Sequence, residues 1–178
     1  MKKIILLLAF VFISNGIMAQ APLEVGGVQL NAGVGTTGWG IPVYVGLDFG
    51  IVRDVTLGAQ VSFQTENHRY YYSNNSYNYS SSAIGIGVNG NYHFNRILDM
   101  PSKFDFYAGA NVTFYIWNDR YDDNNNNIIY PENNNTTLAP GVQVGGRYFF
   151  TDNFGLNLEL LAGETGTTGA KFGITYKF

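Results

Sequence analysis

Cysteine is absent from the chain, and proline occurs only 5 times in 178 residues. The fold can therefore use no disulfide and no thiolate metal site. Charge is sparse as well, with Asp, Glu, Lys and Arg making up 13% of the residues, 10 basic against 13 acidic. Nothing resembles the clustered basic patch that nucleic acid requires, so that partner class is excluded. Past residue 20 no window approaches 18 consecutive apolar residues, which excludes a membrane-spanning helix. The exclusion does not extend to membrane-spanning strands. What the chain does have is 22 glycines, 13 tyrosines and 13 phenylalanines.

The opening "MKKIILLLAFVFISNGIMAQA" reads as a secretory signal peptide. Lys2 and Lys3 form its basic start and Ile4 to Ile13 its apolar core, too short to serve as a bilayer anchor of roughly 20 residues. Cleavage after Ala19 is expected; Ala19–Gln20–Ala21 also fits the small-x-small pattern, but would place Pro22 directly after the cut. Segment 1–19 is thus the leader and 20–178 a single domain. Removing the leader leaves 8 basic against 13 acidic residues, a net charge of −5.

Beyond the leader one pattern recurs. In the closing "KFGITYKF", Phe172, Ile174, Tyr176 and Phe178 share one side of a period-2 ladder, and Lys171, Gly173, Thr175 and Lys177 the other. Val43, Val45, Leu47 and Phe49 alternate in the same way with Tyr44, Gly46, Asp48 and Gly50. Six further segments do likewise, beginning near Val28, Val55, Ile84, Phe104, Val142 and Phe154. Eight strands of about ten residues, each apolar on one face, predict an all-β fold: an eight-stranded antiparallel up-and-down transmembrane β-barrel. Closure in lipid supplies every backbone N–H and C=O with a partner. A soluble lipocalin-like barrel would have the opposite polarity, and parity alone does not choose between them. The leader, the aromatic strand ends and Phe178 favour the membrane.

The connections alternate in length. "IVRD" and "TDN" are short and "RILDMPSK" is moderate, while on the other side lie "TTGWGIP", "ETGTT" and the long "ENHRYYYSNNSYNYSSS" and "NDRYDDNNNNIIYPENNNT". Short periplasmic turns and long external loops are the habit of such barrels. The long connections are expected as surface loops over 65–82 and 118–136. Tyrosine interleaved with small polar residues suits contact, so Tyr70, Tyr71, Tyr72, Tyr77, Tyr79 and Tyr121 are the candidate contact residues for a surface ligand. Exposed loops also drift towards polar residues for solubility alone.

The leader, the eight alternating strands and Phe178 resemble the small outer-membrane β-barrel proteins of OmpA/OmpX type. "KFDFYAGANVTFY" and the leader's "MAQ" end are similar to the version common in Bacteroidota. The resemblance implies a place in the bacterial outer membrane, contact with its lipid, and handling by the barrel-assembly machinery. It further implies that Phe172, Ile174, Tyr176 and Phe178 form the signal that machinery reads. OmpA itself carries a peptidoglycan-binding domain after its barrel; the present sequence stops at the barrel, so no cell-wall tethering is implied.

Side chains turned away from lipid include Asp48, Asp105, Arg147, Glu159 and Lys171, which are expected to form a polar network filling the lumen. Inward glycines leave room for water, and a plug is expected rather than a pore. For catalysis only His68 and His93 offer a histidine base, and neither has a nucleophile and orienting group at a recognisable spacing. No catalytic residue, cofactor or metal ligand is assigned; Asp119, Asp122 and Asp123 lack the spacing of a dedicated calcium loop. The expected function is a small envelope barrel with a structural role and surface loops for contact or adhesion. A narrow pore for ions or small solutes is the alternative.

Overall fold

The computed structural model describes residues 22–38, 40–72, 75–123, 133–163 and 168–178, without the side chains of 66–72, 75–80, 119–123 and 133–134. The expected leader lies outside the described residues, as do the side chains of His68, of the three clustered aspartates and of all six contact tyrosines. Eight strands follow one another: β1 (Val28–Thr37), β2 (Val43–Val52), β3 (Val55–Tyr72), β4 (Asn75–His93), β5 (Phe104–Asp123), β6 (Asn133–Phe149), β7 (Phe154–Gly163) and β8 (Gly169–Lys177). Each pairs antiparallel with the next and β8 pairs with β1, closing an up-and-down barrel. No helix occurs among the described residues.

Polarity follows the parity of the sequence. Val43, Val45, Leu47 and Phe49 of β2, and Leu158, Leu160, Phe172 and Ile174 of β7 and β8, lie exposed on the outer wall. Gln29, Asp48, Thr56, Asp105, Arg147 and Thr175 are buried inside. This is the reverse of a lipocalin-like soluble barrel, and an apolar outer wall of this kind belongs in lipid. Aromatic rings concentrate at the end carrying the short turns: Phe104 and Tyr148 lie 5.0 Å apart between ring centres, and Tyr148–Phe150, Tyr92–Phe94 and Tyr176–Phe178 make edge-to-face pairs at 5.2–5.3 Å. Such rings suit the membrane–water boundary.

Inside, tyrosines and glycines share space across neighbouring strands. A Cβ at Gly145 would overlap the ring of Tyr107, and one at Gly85 would meet the Tyr115 ring at 2.8 Å. Glycine therefore makes the room in which an inward ring lies flat against the wall.

The turn end is firmly tied. Asn95 donates to the Phe104 carbonyl and accepts from the Phe106 N–H at 3.0 Å, holding β4 to β5. Arg96 donates from Nε to Asp54 at 2.7 Å, joining that turn to the one between β2 and β3. The same hydrogen bond, and then the carboxylate charge, hold the Arg96 guanidinium above its ordinary pKa. Asp54 takes the left-handed conformation (φ 65°), which aspartate adopts more readily than most residues. Ahead of β1, Gly26 donates to the Gly50 carbonyl at 2.8 Å and Gly27 accepts from Gly50 at 3.0 Å, so the segment before the first strand lies against β2.

The expected loops at 65–82 and 118–136 require correction. Strands β3 and β4 run on in register to Tyr72↔Asn75, leaving only residues 73–74 between them, and β5 and β6 pair out to Asp119↔Asn133. β4 and β5 also remain paired out to Tyr77↔Asp123. Four strands thus rise as one sheet past the point where β2 and β7 stop pairing, at Phe63 and Gly141. Beyond the lipid there is no reason for apolar alternation, so the sequence signal fades, while Tyr, Ser and Thr still favour extended pairing. Pro140 falls on the stretch of β6 that has no β7 partner, an edge position where its missing N–H is tolerated.

Candidate functional site

Arg147 is the hub of the interior. It projects from β6 beside its cross-strand partner Asp105 on β5, and Asp48 reaches it from β2 on another part of the wall. Its Nη1 donates to Asp105 at 3.0 Å and its Nη2 to Asp48 at 2.5 Å. Gln29, with its amide oxygen turned to the guanidinium, accepts from Nε at 2.9 Å. The guanidinium also lies 4.4 Å from the centre of the Tyr107 ring. Arg147 is only 4% exposed, so its charge persists only because it is paired on every side.

Each partner is held in turn. Asn31 donates to Asp48 at 2.9 Å and its own oxygen accepts from Thr175 at 2.9 Å. Asp105 is bonded through its other oxygen to His93 Nδ1 at 2.7 Å, and His93 Nε2 stands 3.0 Å from the Thr56 hydroxyl. The order hydroxyl–imidazole–carboxylate is that of a hydrolytic triad. His93 and Asp105 are 0% exposed and Thr56 is 1%, so no substrate reaches the hydroxyl and the row acts to position Asp105.

A second group lies nearer the tall sheet. Lys171 donates to Glu159 at 3.0 Å and to Gln60 at 2.9 Å, and Tyr107 donates to the other Glu159 oxygen at 3.0 Å. Tyr107 thereby joins this pair to Arg147. Tyr44 donates to Asn157 at 3.0 Å, and Gln143 links Asn91 and Asn111 at 2.6 and 2.8 Å. Among the described residues the interior holds three cations, Arg147, Lys171 and Lys177, and three carboxylates, Asp48, Asp105 and Glu159. The lumen is charge-balanced.

Between these groups and the tall sheet lies a cavity of about 60 Å³, lined by Tyr44, Tyr107, Tyr115, Ser62, Thr113 and Lys171 among others. Asp48 and Arg147 form its floor. On the turn side of that floor Gln29, Thr56, His93, Asp105 and Thr175 are all fully buried. The cavity is a vestibule with a closed base. Among the described residues no group of three His, Asp or Glu could hold a metal ion.

The structure brings the five inward residues named from parity into two linked clusters: Asp48, Asp105 and Arg147 in one, Glu159 and Lys171 in the other. Phe172, Ile174, Tyr176 and Phe178 share the outer face of β8 and its end. Sequence reasoning leaves out Tyr107, which links the clusters, while His93, which it weighs as a histidine base, stands in the inward row between Thr56 and Asp105. Gln29, Asn31 and Asn157 are equally open to the parity argument.

Comparison with solved structures gives the same architecture. The N-terminal β-barrel domain of OprF from Pseudomonas aeruginosa aligns with a TM-score of 0.54 at 17% identity, over 86% of this chain and 98% of that one. A major outer membrane protein from Thermus thermophilus aligns with a TM-score of 0.59 at 12% identity, over 85% and 98%. Ail of Yersinia pestis, solved with the heparin analogue sucrose octasulfate, aligns with a TM-score of 0.54 at 7% identity, over 85% and 97%. A search of curated proteins by sequence finds no match. The profile described as "Outer membrane protein beta-barrel domain" matches residues 5–178, nearly the whole chain. A closed barrel with an apolar outside, a polar inside and this match leads to one conclusion: the chain belongs to the outer membrane protein beta-barrel domain family.

Proposed function

We propose that the protein is a non-conducting structural barrel of the outer membrane that meets its surroundings through the sheet formed by the far ends of β3–β6. The observation that carries this reading is the floor of the vestibule, where Arg147 is bonded to Asp48, Asp105 and Gln29 with the level beneath it fully buried. An ion passing this level would have to displace buried, paired charges. The raised sheet carries the six tyrosines named for contact, on strands with two unpaired edges at 64–72 and 133–140. A polyanion of the kind bound by Ail does not suit this chain, whose stretch 118–136 has Asp119, Asp122, Asp123 and Glu132 against one Arg120. Phe172, Ile174, Tyr176 and Phe178 are assigned to recognition by the assembly machinery.

A narrow pore is the second reading, favoured by a vestibule that reaches as far as Arg147. Planar-bilayer recording separates the two. Silence, from protein shown to be folded by its resistance to unheated SDS, is the expected result; reproducible conductance steps would overturn it. Contact is tested by cutting both hairpins back to tight turns at residues 65/82 and 118/136. Loss of binding to cell surfaces with the fold intact is expected, and equal binding by cut and intact barrels would end the contact reading.

A further inference from the structure

The vestibule has features that a water-filled gap between side chains does not need. We propose that it is a binding cup for a small, neutral, polyhydroxylated molecule of monosaccharide size.

Volume sets the scale. One water needs about 10–15 Å³ of such space, so 60 Å³ admits about four to six waters, comparable with one sugar ring. Closure sets the mode, because a cavity floored by Asp48 and Arg147 can hold a solute but not pass it on. Charge sets the class. Lys171 is neutralised by Glu159, and Arg147 by Asp48 and Asp105, so no net charge is offered to an ionic ligand.

Two further observations point to hydroxyl groups. Tyr44, Tyr107 and Tyr115 line the space; Arg147 lies over the Tyr107 ring and Lys171 over that of Tyr44, so the less buried Tyr115 offers the aromatic face on which the C–H groups of a sugar ring can pack. On the β3–β5 wall three hydroxyls have no hydrogen bond to the described residues: Ser62, Thr113 and Tyr115. Ser62 and Thr113 are only 8% and 9% exposed as residues, and their oxygens keep accessible surface where they line the cavity; among the described residues the one fully buried side-chain polar atom without a partner is Asn91 Nδ2. The wall between them is cut away by glycine. A Cβ at Gly85 would stand 2.5 Å from the Ser62 oxygen, and one at Gly87 2.7 Å from the Thr113 oxygen. A hydroxyl both donates and accepts, so this trio complements ligand hydroxyls better than a carboxylate or an ammonium group.

The test is NMR titration of the isotope-labelled protein, expressed from its full chain and purified folded in detergent. The probes are methyl α-glucoside, methyl α-galactoside and N-acetylglucosamine, with glycine betaine as the zwitterionic control and maltotriose as the oversized one. Saturable shifts at the amides of Gly85, Gly87 and Thr113 with at least one monosaccharide, and not with either control, are expected. Removing two hydroxyls by Ser62→Ala with Thr113→Val should weaken that binding about tenfold while the folded spectrum persists. Tyr115→Phe, which removes one hydroxyl and keeps the ring, provides the same readout should the double variant not fold. Absence of saturable shifts with all three sugars would leave water as the occupant and overturn the proposal. Equal binding of glycine betaine, or undiminished binding by the variants, would overturn it too.

Discussion

Replacing Arg147 by methionine removes one cation from a lumen that holds three of each sign, and strands two carboxylates. Asp48 keeps Asn31 at 2.9 Å and Asn89 at 3.5 Å, and Asp105 keeps His93 at 2.7 Å, but both lose the ion pair with Arg147. Two unit charges about 4 Å apart attract by about 4 kcal/mol at an effective dielectric of about 20, and Arg147 has two such partners. Desolvation of the guanidinium offsets part of this, so the net loss on breaking a buried pair is about 3–5 kcal/mol. That is a large share of the roughly 5–15 kcal/mol by which a domain is stable. The assay is a urea titration of the barrel folded into lipid vesicles, read by tryptophan fluorescence and by mobility on unheated SDS gels. The triple variant Arg147→Met, Asp48→Asn, Asp105→Asn has no stranded carboxylate, and although it leaves Lys171 and Lys177 against Glu159 alone it should regain part of what the single variant loses. A single-variant loss under about 1 kcal/mol, or a triple variant no better than the single, would refute the account of Arg147 as a charge hub.

Two other substitutions examine different layers of the structure. Gly145→Val places a branched side chain where the Tyr107 ring lies, and should lower stability by about 1–3 kcal/mol in the same urea assay, whereas valine at exposed Leu158 should leave it nearly unchanged. Phe178→Ser breaks the aromatic pair with Tyr176 at 5.2 Å and shortens the outer row on β8; the amount of protein recovered in outer membranes should fall, and normal recovery would remove Phe178 from the assembly signal.

The barrel wall is legible in the sequence because lipid imposes a strict rule on each strand: every second residue must be apolar. The same rule places Asp48, Asp105, Arg147, Glu159 and Lys171 inside, since a charge against lipid is expensive. Parity gives a face but neither height nor bearing around the barrel. That Arg147 meets Asp48, 99 residues away, depends on strand tilt and register, which the sequence does not display. Tyr107 escapes notice because a tyrosine among Asp105, Gly109, Asn111 and Thr113 looks apolar in a polar row. Its amphipathic character is what joins the two charge clusters. The upper parts of β3–β6 read as loops because the environment that enforces alternation ends where they begin.

The unequal strand lengths make the molecule directional. β3 continues for nine residues, Gln64 to Tyr72, after its last pairing with β2, and β6 for eight, Asn133 to Pro140, before its first pairing with β7. At about 3.3 Å per residue this is a wall roughly 25–30 Å long on one flank of the rim. On the opposite flank β8, β1 and β2 stop at Gly169, Thr37 and Val43. Seen from above, the strands form a tall flank and a low flank, so the rim is not the same on every bearing. Two copies facing the same target in a crowded membrane would thus be inequivalent unless each could turn about its own axis.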